Sequence, residues 1–278
     1  MTLTGAISGR QREIVLRVAS AVALAALALG AAILSPWSFL ALVMVGAGLV
    51  AWEWGRLTRG NGFDRTALLA TATVAALAIC VAFGRPAYGF FVLAAAAATI
   101  WLVGQNVPSR TWAIAGLAYT ALPVAALVWL RSDQALGAVA VVYLFAVAWT
   151  ADTASYAAGH LLDGPKLAPR ISPQKTWSGF LAGALLPSLV GVAFATYLKS
   201  SSAPRLALVS VGLAVACQLG DLLESWVKRR FGAKDTSQLI PGHGGVLDRV
   251  DGLLLAAVLA GLIALRDPAA PARSLLIW

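Results

Sequence analysis

The sequence predicts an all-α, polytopic integral membrane bundle of about nine transmembrane helices, N-terminus inside and C-terminus outside. Three observations lead there. Of the 278 residues, 60% are hydrophobic and 12% charged, with a mean hydropathy of +0.81; a soluble domain carries about 25% charged residues to cover its surface. Apolar runs near the ~20 residues that cross a bilayer recur along the chain. Lys and Arg gather in alternate connecting segments, as loops on the inner face of a membrane do.

The first run, 14–34, follows Arg10 and Arg12. It is longer than the apolar part of a signal peptide, and a second run follows at once, so it reads as a retained helix. Ser35-Pro36 separates it from 37–57, Arg59-Gly60-Asn61-Gly62 precedes 66–84, and Gly84-Arg85-Pro86 precedes 87–104. Runs at 111–130 and 136–158 come next, then 178–198, 206–228 and 252–266. Unpaired strand edges cannot be satisfied in hydrocarbon, so runs of this kind are read as helices. Abundant Ala and Gly inside them suit close helix packing in lipid. With no internal repeat, the chain reads as one membrane domain, 1–278: N-terminal helices over 1–135 and a chemistry-bearing part over 136–266.

The inner segments hold Arg10, Arg12 and Arg17; Arg56, Arg59 and Arg65; Arg110; Lys166, Arg170 and Lys175; and Lys228, Arg229, Arg230, Lys234 and Arg249. The outer segments hold Arg85, Arg131, Lys199, Arg205, Arg266 and Arg273. The net charge of +9 is therefore assigned to an anionic bilayer surface and not to nucleic acid. Cys80 and Cys217 lie inside apolar runs, act as small hydrophobes and suggest neither a disulfide framework nor a zinc site.

Two long inner segments, about 159–177 and 229–251, hold most of the Gly, Pro, His, Lys and Asp outside the spans. Asp221, Ser225 and Lys228 recur at helical spacing and share one face at the inner end of the eighth span. A basic cluster with Lys234-Asp235 follows, then Pro241-Gly242-His243-Gly244-Gly245, then Asp248-Arg249 and Asp251 at the mouth of the ninth. Each part has a plainer reading. Lys228, Arg229 and Arg230 would anchor a helix end, the glycines would form a turn, and Asp248 would cap a helix. Asp221 resists this, because an acid at the edge of a span is costly and points to function. Glu53, between Trp52 and Trp54, has no assigned role beyond snorkelling at a helix end. Together the residues suggest a phosphate site: carboxylates for a hard cation, glycines for backbone approach, and Lys and Arg for charge neutralisation. Walker, Rossmann and zincin motifs are absent.

The stretch 225–251 resembles the signature of the phosphatidate cytidylyltransferases, also called CDP-diacylglycerol synthases. Ser225, Lys228, Arg229, Lys234, Asp235, Ser237, Ile240 and Pro241 meet its first half; His243, Gly244, Gly245, Asp248, Arg249 and Asp251 complete it. Upstream, Asp152-Thr153 with Tyr156, Lys166-Leu167-Ala168-Pro169 and Ser172-Pro173-Gln174-Lys175-Thr176-Trp177 are similar to further family elements. Gln174 stands where the family often has Lys, and Ser178 where it often has Glu. The resemblance covers about 145–265; the first five spans are similar only in hydropathy and count.

The resemblance implies cytidylyl transfer from CTP to phosphatidic acid, giving CDP-diacylglycerol and pyrophosphate. Asp221 and Asp248, at two facing helix mouths, are expected to hold Mg²⁺, with room for a second cation. Lys228, Arg229, Lys234 and Arg249 are expected to contact phosphate, His243, Gly244 and Gly245 to line the triphosphate pocket, and Asp221, Lys228, His243, Asp248 and Arg249 to form the catalytic set. Ser225, Asp235 and Asp251 complete the substrate-binding set, with Asp152 and Lys175 reaching the same site from the other loop. The expected setting is a bacterial plasma membrane with the site facing the cytoplasm, and a homodimer is allowed. Three other readings compete, one of them a pseudoenzyme that keeps the fold as a scaffold, against which the intact acids argue. A CTP-dependent lipid-alcohol kinase would release CDP and want a general base. A transporter would use Glu53, Asp152, Asp221 and Glu224 as relays but would be expected to show paired broken-helix repeats.

Overall fold

The computed structural model describes residues 9–103, 106–199, 201–240 and 244–278. Its helices are α1 (Gly9–Leu34), α2 (Pro36–Arg59), α3 (Arg65–Ala82), α4 (Pro86–Val103), α5 (Val107–Ser132) and α6 (Gly137–Leu161). A two-stranded antiparallel hairpin, β1 (Lys166–Ala168) and β2 (Ser172–Thr176), leads into α7 (Trp177–Leu185) and α8 (Ser188–Leu198). Then come α9 (Ala203–Arg230), α10 (Leu247–Ala264) and the short α11 (Pro271–Leu276).

The separators seen in the sequence act as caps. Ser35 accepts from the Ser38 N–H and Ser38 reciprocates, closing a capping box at α2, which satisfies N–H groups that the helix itself cannot. Asp64 accepts from the Ala67 N–H at the start of α3 (2.7 Å) and pairs with Arg59 Nε (2.6 Å). Burial opposes ionisation of Asp64, but the Arg59 guanidinium and the Ala67 N–H outweigh it and hold the carboxyl below its usual range. Asn106 and Thr176 cap α5 and α7 in the same way.

Among the described residues, seven helical segments are long and apolar enough to cross a membrane, with α7 and α8 counted as one. The apolar part of α1 is the shorter Val18–Leu34, and α10 opens with Asp248, Arg249 and Asp251. The structure is therefore a polytopic helical bundle in which every expected run is helical. It differs from expectation in three places. The 178–198 run is broken at Leu186-Pro187, because proline has no N–H to continue the ladder. The 159–177 segment contains the hairpin, and α11 lies beyond the last expected span.

One buried cluster joins α1, α5, α6 and α8 to α11 around Tyr143, Leu206, Leu213 and Leu275. A second fills the space among α2 to α5 around Leu77 and Leu117. A smaller third, with Val50, Trp54, Val227, Leu247 and Leu254, ties α2 to the end of α9 and the start of α10. Contacts distant in sequence mark the two ends of the bundle. At one end Arg131 Nε donates to the Ala32 carbonyl (2.6 Å) and the Asp133 carboxylate accepts from the Ala272 N–H. Arg131 is thus a buried helix-end ligand and not a loop charge facing lipid. At the other end α2, the hairpin, the tail of α9 and the mouth of α10 converge.

Candidate active site

α9 and α10 cross with their backbones nearly touching. A Cβ on Gly220 would lie 2.6 Å from the Asp251 carbonyl oxygen, and one on Gly252 would lie 2.9 Å from that of Cys217. Glycine at both positions permits this approach, which carries Asp221 and Asp251 to the same place. α6 delivers Asp152 from the side. The result is a cavity of about 310 Å³ lined by Asp152, Asp221, Lys228, Asp235, Asp248, Arg249 and Asp251. All seven are among the residues nominated from sequence.

Within it, Asp221 pairs with Lys175 Nζ from β2 (2.5 Å) and accepts from Ser225 Oγ (3.3 Å), while its side chain stays 38% exposed. Asp248 is 5% exposed, and both its oxygens are engaged. Oδ1 accepts from Lys228 Nζ (2.8 Å); Oδ2 accepts from the Gly245 N–H (2.7 Å), Thr236 Oγ1 (2.9 Å) and the Thr236 N–H (3.1 Å). Lys228 also pairs with the buried Glu224 (2.6 Å), so its ammonium bridges two acids. Arg229 donates to the carbonyls of Ile171 and Ala233, bracing the hairpin against the loop after α9. Lys234 lines a second, larger cavity of about 800 Å³ with Trp52, Arg56 and Phe231, which shares Asp235 with the first. His243, with Pro241 and Gly242, lies outside the described residues.

Gly244 and Gly245 bear on the carboxylates first. Gly244 has φ +82, and a Cβ there would lie 2.8 Å from Asp248 Oδ2; one on Gly245 would lie 2.2 Å from Thr236 Oγ1 and 2.4 Å from Glu53 Oε1. The N–H groups of Gly245, Val246 and Leu247 donate to Asp248 and Glu53. The glycines thus let two acids close on the loop. For a phosphate site the sequence nominated neither Thr236 nor Glu53 and Glu224, the last two entering only as relays of the rival transporter. Glu53 carried a usable signal, an acid in an apolar span. Thr236 carried none. Ser178, one of the two departures from the family form, bonds Thr176 Oγ1 (2.9 Å) and donates to the Asp163 carbonyl, fastening the turn before the hairpin.

The lining sets five carboxylates against Lys228 and Arg249. Such a cavity would repel a polyphosphate unless a cation entered with it, and carboxylate oxygens are the donors a hard divalent cation takes. No group of three or more His, Cys, Asp or Glu is poised to share one ion among the described residues. Mg²⁺ takes one or two carboxylates and fills its other positions with water and phosphate oxygens, and the acids lining the cavity could supply them. Of the two acids nominated for a cation, Asp221 is the more accessible.

Over residues 15–265 the chain matches the Cytidylyltransferase family. The match extends into the N-terminal helices, where the sequence offered similarity in hydropathy alone. A protein of Brucella suis biovar 1 (strain 1330) named phosphatidate cytidylyltransferase is 44% identical over 213 residues, covering 75% of this chain and 77% of that protein. One from Brucella abortus (strain 2308) is 43% identical over the same shares. One from Rickettsia bellii (strain RML369-C) is 38% identical over 156 residues, covering 54% of this chain and 67% of its own.

Proposed function

Since the chain belongs to the cytidylyltransferase family, we propose that it transfers the cytidylyl group of CTP to phosphatidic acid, releasing pyrophosphate and forming CDP-diacylglycerol. The observation that carries this reading is the convergence of the nominated acids with Lys228 and Arg249 on one cavity at one end of a membrane bundle. A lipid phosphate with its tails in the bilayer and a water-soluble nucleotide can both reach such a place.

The lipid phosphate oxygen is already anionic, so its attack on the α-phosphorus needs no strong base. One P–O bond forms as the bond to pyrophosphate breaks, and catalysis is positioning plus charge neutralisation. Lys175 holds Asp221 at the cavity wall, and Lys228 and Arg249 offset developing phosphoryl charge. Lys234 meets the substrate from the larger cavity, and Arg229 keeps the hairpin in place. Mg²⁺, held by Asp221 with Asp248 beside it, would supply charge neutralisation on the phosphates. Asp248's engaged oxygens make it the organiser of the site as much as a ligand. We further propose nine spans with the N-terminus inside, placing the site at the cytoplasmic face of a bacterial plasma membrane.

The test is purified protein with phosphatidic acid and α-³²P-labelled CTP, with and without Mg²⁺. Label should enter the lipid only with the metal, with pyrophosphate released. Release of CDP with transfer of the γ-phosphate, or no lipid label from folded protein across several divalent cations, would overturn the reading.

A further inference from the structure

Glu53 is fully buried in α2, yet every partner it has lies in the loop and helix start that complete the site. Oε1 accepts from Ser237 Oγ (2.5 Å) and the Val246 N–H (2.9 Å); Oε2 accepts from the Leu247 N–H (2.6 Å) and lies 3.4 Å from Thr236 Oγ1. α10 has no cap of its own, since Val246 offers no side-chain hydrogen bond. The first N–H groups of a helix lack partners and carry its positive end. Glu53 supplies an anionic cap from another helix, and it holds Thr236-Ser237 and Val246-Leu247 at once.

The cap connects directly to the cavity. Thr236, next to Glu53, donates its N–H and its hydroxyl to Asp248, and Gly245, next to Val246, donates to the same carboxylate. Asp248 in turn fixes Lys228. The neighbouring Trp54 fastens α2 to α5, its Nε1 donating to the Trp112 carbonyl (2.8 Å).

We propose that Glu53 is a positioning residue for cytidylyl transfer, setting Asp248 and Lys228 by clamping Thr236-Ser237 against Val246-Leu247. This rests on the proposed function, and its test has an arm independent of activity. In Glu53→Gln, amide hydrogen exchange at 236–240 and 244–247 should rise at least tenfold while α3 and α4 keep their protection. In the same variant kcat should fall about 10- to 100-fold, the range for removing an outer partner of a site ligand, with KM for CTP changing far less. Ser237→Ala, which removes one donor and leaves the carboxylate, should give a smaller change of the same kind.

Exchange and kcat both unchanged in Glu53→Gln would overturn the proposal. So would exchange rising equally in α3 and α4, since Glu53 would then serve the fold at large. If Glu53→Gln cannot be recovered folded, wild-type exchange and turnover in Ser237→Ala would overturn it. Should the wild-type protein prove inactive in cytidylyl transfer, the function falls, while the exchange arm still decides whether Glu53 clamps the loop.

Discussion

At Asp221 one carboxylate oxygen meets Lys175, the other meets Ser225, and a third of the side chain remains open to the cavity. At Asp248 no oxygen is spare. The two acids, equivalent in the sequence, should therefore respond differently to the same change. Asp221→Asn should lower cytidylyl transfer at least about 100-fold, as loss of a charge-stabilising group does, with the melting temperature nearly unchanged. Asp248→Asn should lose activity and also about 3 kcal/mol of stability, the scale for breaking a buried ion pair from one side; parallel turnover and denaturation measurements separate them. The lining residues were legible because acids, lysines and arginines are rare in so apolar a chain. Their order of dependence was not, since Thr236 and Glu53 gain their roles only from contacts 12 and about 184 positions away.

The crossing of α9 and α10 depends on Gly220 and Gly252, whose missing side chains let Asp221 and Asp251 meet. Gly220→Ala places a methyl 2.6 Å from a backbone oxygen and should cost about 1–3 kcal/mol by overpacking, with turnover falling in step. Gly46→Ala, where nothing lies within 4 Å, should leave both unchanged. The turn between α2 and α3 has its own pH signature. The Asp64 carboxyl is held below its usual range, so its contribution is full above the unfolded value of about 3.9 and is lost as pH falls through the lower folded value. The stability difference between the wild type and Asp64→Asn should accordingly shrink below about pH 4 and vanish in stronger acid, as thermal melts across that range would record. Helix positions followed from run length and caps. The break at Pro187 and the 166–176 hairpin did not, because a run of apolar residues records burial but not a local change of backbone direction.

Across the molecule the basic segments and the cavity share one end, where Arg229 reaches Ile171 and Lys175 reaches Asp221. The other end is closed by Arg131 on Ala32 and Asp133 on α11. With the proposed orientation and a background lacking Cys80 and Cys217, an impermeant maleimide should label Arg205→Cys on intact cells. Arg170→Cys should label only after permeabilisation; the reverse pattern would invert the orientation. Hydropathy made the bundle readable, but not that its two halves finish each other's polar work. The Glu53 cap has a consequence for how such a chain is made. α2 leaves the ribosome about 190 residues before Val246 and Leu247 do, so its acid enters the membrane with no partner and must wait through most of synthesis. An unpartnered carboxylate inside a bilayer is costly, so until those N–H groups emerge Glu53 is expected to stay within reach of water. Nascent chains arrested before residue 246 should leave α2 accessible to water-borne labels, and full-length chains should not.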